Sequence, residues 1–176
     1  MLGVNTIWTV GHSTRSIDQL IGVLEAFDIE LVADVRRYPG SRRLPQFSAE
    51  SLERSLAGAG ISYRWIPELG GRRRRDPTAG ASAWKNAAFA AYADHTATEE
   101  FSEGLNELLV LSEGLKTAVM CAEVLWWRCH RRIISDVLLS LGESVIHIRD
   151  ESHFDVHKVT APARIVDGTL VYTTRG

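Results

Sequence analysis

Residues 6–37 read TIWTVGHSTRSIDQLIGVLEAFDIELVADVRR, and the fold class turns on them. TIWTV is a short β-branched and aromatic run, as a buried strand requires. Ser16 with Gln19 three residues on is a capping-box signature, and Ile17, Leu20, Ile21, Leu24 and Phe27 then recur at helical spacing. ELVADV, residues 30–35, is a second apolar run. Two strands joined by one helix of this length are expected to pair parallel, as a right-handed βαβ unit.

Working outward, RRYPGSRRLPQ is an irregular basic loop, after which Ser48 opens a second helix with Phe47 and Leu52 placed as a hydrophobic staple; Gly58 and Gly60 end it. ISYRWI predicts a third strand and PELGGRRRRDPTAGAS a loop. WKNAAFAAYADH, Trp84 to His95, is helical by propensity, and EEFSEGLNELLVL adds a further helix closed by Gly114. TAVM is a short apolar strand, HRRIISDVLLSLG an amphipathic helix ending at Gly142, and VIHI another strand. ARIVDGTLVY reads as a hairpin, because Asp167-Gly168 is a favoured two-residue turn. The expected architecture is a single α/β domain over residues 1–176: a mainly parallel sheet flanked by helices, with a C-terminal β-hairpin.

Composition agrees with a cored protein, at 45% apolar and 24% charged residues. A chain of 176 residues buries roughly 70% of its unfolded surface, so it needs neither disulfides nor a metal to fold. MLGVNTIW lacks a signal-peptide pattern and no apolar run is long enough to span a bilayer. A cytoplasmic protein with no membrane partner is expected, and its two cysteines are read as thiols or ligands. The net charge of −2 hides an asymmetry. Ten of the twenty basic residues lie between Arg36 and Arg75, whereas residues 86–115 carry six acidic side chains and no Lys or Arg. An electrically two-faced molecule follows.

Three polar clusters end predicted strands: GHST after TIWTV, DVRR closing ELVADV, and CAE after TAVM. In a parallel sheet the loops at the strand carboxyl ends line a common crevice. His12, Ser13, Asp34, Arg36, Cys121 and Glu123 are therefore expected in one neighbourhood with the start of the last long helix. VGHST, DVRRYPGSRRLPQF, YRWIPELGG, FAAYA and MCAE followed by CHRR together resemble the family known as domain of unknown function 488. The resemblance runs through nearly the whole chain. It implies a small α/β protein, bacterial or archaeal in the main, with polar motifs at shared positions and no particular activity. Between the cysteines, Leu125-Trp126-Trp127 replaces the family's more polar connection.

CAEVLWWRCHRR, residues 121–132, admits three readings. Cys121 as a nucleophile in an anion-cradling loop fits poorly. Six residues separate it from Arg128 instead of five, there is no glycine, and Glu123 would repel an oxyanion. Cys121, Cys129 and His130, with His12 or His147, are the right donors for a divalent metal. Against this, Cys129 and His130 are adjacent near a helix start, where they would point about 100° apart. The favoured reading pairs His130 and Glu123 for acid/base chemistry, with Asp34 and His12 as helpers and Cys121 as reserve nucleophile. Arg36 and Arg131 would hold phosphate, while Arg37, Arg42, Arg43 and the Arg72–Arg75 run, Arg72 and Arg73 first, extend the basic rim. Tyr38, Tyr63, Trp65 and the Trp126-Trp127 pair supply stacking surfaces, as phosphates and unstacked bases require; Phe89 and Tyr92 are read as helix packing. The expected ligand is a nucleotide or nucleic-acid strand, bound or processed by a hydrolase or transferase. The rival is a noncatalytic nucleic-acid-binding module whose Cys/His cluster is structural.

Overall fold

The computed structural model describes residues 4–172; residues 1–3 and 173–176 of the expected span lie outside it. Five strands run parallel: β1 (Thr6–Gly11), β2 (Leu31–Asp34), β3 (Ser62–Trp65), β4 (Thr117–Cys121) and β5 (Ser144–Ile148). A sixth, β6 (Phe154–Val156), pairs antiparallel with β5, and the sheet order is β3-β2-β4-β1-β5-β6. The fold is thus α/β with a mainly parallel sheet. Strands β7 (Ala163–Val166) and β8 (Thr169–Tyr172) form the separate hairpin. Its turn residues Asp167 and Gly168 both have positive φ, +49° and +76°, the mirror-image turn that a twisted hairpin selects.

One pairing differs from expectation. β1 and β2 are parallel, but β4 lies between them. A connecting helix sets the direction of the strands it joins and leaves their neighbourhood open. β4 is buried along its whole length, and a strand apolar on both faces belongs mid-sheet. SYRW of β3 is largely exposed and takes an edge. β6 was not legible at all: it is three residues long, with Phe154 and Val156 exposed.

Helices α1 (Ile17–Ala26) and α2 (Ala49–Gly58) cover one face, and α3 (Ala87–His95), α4 (Glu99–Gly114) and α5 (Arg131–Ser140) the other. The strands sort their side chains between these layers by alternation. Val10, Val32, Ala118 and Met120 join Leu20, Leu24, Leu52 and Leu56 in one core. Ile7, Ala33, Val119 and Cys121 join Tyr92, Phe101, Leu108 and Ile133 in the other. The α1 capping box is formed in both directions. Phe47 and Leu52 are both fully buried, although the Ser48 side chain makes no cap bond. α3 starts later than Trp84 because Asn86 accepts from the amides of Ala88 and Phe89.

The helices after β2 and β4 lie on opposite faces, and these two strands are neighbours. Between their carboxyl ends the chain must part, and a crevice opens.

Candidate functional site

Cys121 is the last residue of β4, and strand alternation turns it toward the α3–α5 layer. The chain then makes a short 3-10 turn, Trp126–Arg128, and returns through Cys129 to His130, which caps α5. Cys129 is extended, with φ −126° and ψ 156°, so the helical offset of about 100° between it and His130 does not apply. Cys129 Sγ lies 2.8 Å from Cys121 Sγ and 3.4 Å from His130 Nδ1. His130 Nε2 is 3.0 Å from the Val35 carbonyl, an acceptor, which makes Nε2 the protonated nitrogen and leaves Nδ1 a lone pair toward the thiols. Burial lowers the His130 pKa and favours the neutral ring, against the opposing pull of Cys121 and the Val35 bond.

Beneath the sulfurs lies Arg131, wholly buried. Its Nε donates to Cys121 Sγ at 3.0 Å and its backbone N–H to Cys129 Sγ at 3.5 Å. Its Nη2 donates to the carbonyls of Glu123 and Val124. Among the described residues no carboxylate stands within ion-pair distance of it. A buried cation without a counter-ion is costly, and among the described residues the sulfurs are the only anionizable groups touching it. Burial raises the Cys129 pKa, but the hydrogen bond from Cys121 and the charge and amide of Arg131 outweigh it, bringing the thiol to about 6. Burial and the neighbouring Cys129 push Cys121 well up. The two sulfurs therefore share one proton and one negative charge.

From Arg131 a chain of donors crosses the core. Nη1 donates to Thr9 Oγ1 at 3.0 Å, and Thr9 Oγ1 lies 2.6 Å from His147 Nδ1. His147 Nε2 lies 2.9 Å from His157 Nδ1, and His157 Nε2 2.8 Å from Asp136 Oδ1. The carboxylate at the far end can only accept and the guanidinium at the near end can only donate, so the series runs between a fixed donor and a fixed acceptor. Trp126 stacks on His147 at 4.2 Å, 5° from parallel. Burial, then His157 and Arg131, push the His147 pKa down to about 2.

On the opposite face of the sheet sits a second cluster. Asp34 accepts from Arg36 Nε and Nη2, from the Arg36 amide and from Tyr63 Oη at 2.6 Å. Arg36 Nη1 donates to the Phe47 carbonyl at 2.7 Å and lies 3.3 Å from His12 Nε2, while His12 Nδ1 bonds to the Ser13 carbonyl. His12 stacks on Phe47, and burial lowers its pKa. Asp34 and His12 are thus braces for Arg36, and neither lines the cavity described next. The two clusters meet through the backbone: the amides of His12 and Ser13 donate to the carbonyls of Cys121 and Ala122, and Val35 to Met120. Gly11 makes this possible, since a Cβ there would lie 2.0 Å from the Glu123 carbonyl oxygen.

The crevice holds a cavity of about 300 Å³ lined by Arg36, Arg37, Tyr38, Gly71, Arg72, Phe89, Tyr92, Glu123, Arg128 and, at its floor, Cys121, Cys129 and His130. A second, of about 800 Å³, adjoins it and shares Arg37, Tyr38 and Arg72. Several expected residues lie elsewhere. Ser13, Arg42, Arg43 and Arg131 do not line the first cavity; Arg42 and Arg43 are exposed, and the guanidinium of Arg131 is spent on sulfur, hydroxyl and carbonyls. Arg73 lines the second but is tied to Glu100 and to the carbonyls of Pro67, Glu68 and Gly70. With Arg75–Asp94 and Arg64–Glu107, this pair joins the basic window to the acidic helices, so the expected two-faced polarity is partly cancelled. Glu123 is exposed and its carboxylate accepts from its own loop at Leu125 N. Trp126 and Trp127 stand outside both linings, whereas Phe89 and Tyr92, read as packing, face the first cavity.

The metal reading loses its geometry. Cys121 and Cys129 supply two close sulfur donors, short of the four that a tetrahedral zinc takes. A guanidinium also stands where a second cation would be repelled. Among the described residues, no group of three or more His, Cys, Asp or Glu could hold a metal ion.

The model of the family Domain of unknown function DUF488 matches residues 16–138, more than two-thirds of the chain, and the protein belongs to that family. The matched span includes Asp34, Arg36, Cys121, Cys129 and His130. No curated protein and no solved structure matches the chain. Among the described residues no helix is long and apolar enough to cross a membrane.

Proposed function

We propose that the crevice binds a phosphorylated ligand, a nucleotide or a nucleic-acid strand, and that His130 is the acid/base group at its floor. One observation carries this reading: four arginines and a single carboxylate line the first cavity, around a half-buried imidazole whose Nε2 is held by the Val35 carbonyl and whose Nδ1 keeps a lone pair to offer. Arg128 makes no side-chain hydrogen bond among the described residues, and Arg37, after β2, and Arg72, after β3, line both cavities. Guanidiniums beside Tyr38 and Phe89 suit phosphate and a stacked base. Continuity of the two cavities favours a strand over a single nucleotide. Glu123, at the mouth, is the partner through which a proton reaches solvent.

The test is binding of fluorescent single-stranded DNA and RNA and of a nucleotide panel, under reducing conditions and over a range of salt. R72A and R128A should each weaken binding and reduce the salt slope by about 1; R43A, exposed and remote from the linings, should not. H130N should bind normally and lose any turnover. A protein that binds none of these ligands, or binds them with unchanged salt dependence in R72A/R128A, ends the proposal.

A further inference from the structure

We propose that Cys129 and Cys121 are an attacking and a resolving thiol, which together reduce a small anionic disulfide entering through the arginine-lined cavity. The proposal shares the His130 base with the function above but not its ligand.

Four observations converge on it. The sulfurs are 2.8 Å apart, so an S–S bond of about 2.05 Å forms by a closure of less than about 1 Å. Both line the same cavity, which gives a co-reactant access to them. Arg131 is buried without a carboxylate, and a thiolate is the anion its surroundings provide. His130 Nδ1, 3.4 Å from Cys129 Sγ, is positioned to take the proton, with its other nitrogen fixed on Val35. Gly71 covers that imidazole closely, since a Cβ there would lie 2.9 Å from Nδ1. Cys129 is the attacker because it alone of the two touches the base and the N-terminal amide of α5; Cys121, held by Arg131 Nε, resolves. Arg37, Arg72 and Arg128 at the rim select a negatively charged partner.

The chemistry balances without a further reagent. Cys129 S⁻ attacks one sulfur of RS–SR; the Cys129–S–SR bond forms, the RS–SR bond breaks, and RS⁻ leaves with the electron pair. That leaving thiolate departs into the arginine-lined cavity and takes its proton from solvent, to which Cys129 had already lost its own. Cys121 then attacks Cys129 Sγ, an intramolecular disulfide forms, and the second RS⁻ leaves, taking the proton of Cys121. Two thiols are oxidised, one disulfide is reduced and two RSH are released.

The probe is 5,5′-dithiobis(2-nitrobenzoate), a dianionic disulfide whose product absorbs visible light, mixed with reduced native protein at neutral pH. The wild type should release two thiolates per chain and retain no label, its mass falling by two hydrogens. C121S should release one and keep a mixed disulfide on Cys129. In C129S the remaining thiol should react at least about ten times more slowly. Cystamine, a dicationic disulfide, should react more slowly than the dianion, by a margin that shrinks in high salt. A wild type that keeps a label on each cysteine, or leaves both unreacted while folded, overturns the proposal, and so does C129S reacting as fast as C121S. The wild-type stoichiometry needs no variant to fold. Oligonucleotide binding by the reduced protein is read separately: loss of binding with two thiolates released sinks only the function above, and the converse sinks only this one.

Discussion

A single guanidinium explains most of the site's chemistry. Arg131 is wholly buried and makes its bonds to sulfur, a hydroxyl and carbonyls, so its charge is balanced by ionizing the thiol pair. Alkylation of Cys129 should therefore rise with pH through about 6, where an ordinary cysteine would rise near about 8.5. The sign follows from the reactive form: the thiolate is present above the lowered pKa and is lost as pH falls through it. Substituting R131Q removes the cation and the Nε donor, and the inflection should move up by at least about 1 unit, equal to about 1.4 kcal/mol. Iodoacetamide rates from pH 4.5 to 9, with mass mapping of the labelled residue, measure both. An inflection unmoved by R131Q would mean that the charge beneath the sulfurs does not set their ionization. The sequence showed these residues to be dense in one stretch. It did not show that Cys129 is extended, and so it placed the two side chains apart when they in fact converge.

Among elements, strand alternation decides which residues can cooperate. Positions 9, 33, 119 and 121 face α3–α5, whereas 10, 32, 34, 118 and 120 face α1 and α2. That is why Asp34 and His12 brace Arg36 on one side while the thiols assemble on the other. The alternation is written in the sequence, and applying it to the polar residues as well as the apolar ones would have separated the two clusters. What could not be read was the insertion of β4 between β1 and β2, because neighbourhood in a sheet depends on competition among strands far apart in the chain. The chain from Arg131 to Asp136 likewise joins β1, β5, α5 and the segment after β6, and no local pattern announces it. Asp136 accepts at Oδ1 from His157 and the Thr160 amide and at Oδ2 from the Thr160 hydroxyl, so D136N puts at one of the two positions an NH2 that cannot accept. It should destabilise the fold by about 2 kcal/mol, the scale of a hydrogen bond to a charged group, read from urea melts. G11A should cost about 2 kcal/mol or more by forcing the 123–124 backbone away. Melts unchanged in G11A would contradict the close approach of that loop to β1.

For the molecule as a whole, the buried histidines tie stability to pH. Burial is the leading cause that lowers the pKa of His12, His95, His130 and His147, the last to about 2. In the unfolded chain each titrates near about 6.5. Below that pH the unfolded state binds protons that the folded state refuses, so stability falls as pH falls, by at most about 1.4 kcal/mol per unit for each histidine held fully neutral. Cys129 acts with the same sign at higher pH, because between about 6 and its unfolded value the unfolded chain keeps a proton that the folded thiol has lost. Stability should therefore climb from pH 5 to pH 8, before any carboxylate takes part, and the climb should flatten at its lower end in H147N if that variant keeps the stack on Trp126. Thermal melts at constant ionic strength give the slope, and the imidazole proton shifts of His147 give the assignment, since that ring should show no titration between pH 5 and 8. A melting temperature level over this range, falling only below about pH 4.5 where carboxylates protonate, would mean that the histidines charge within the fold.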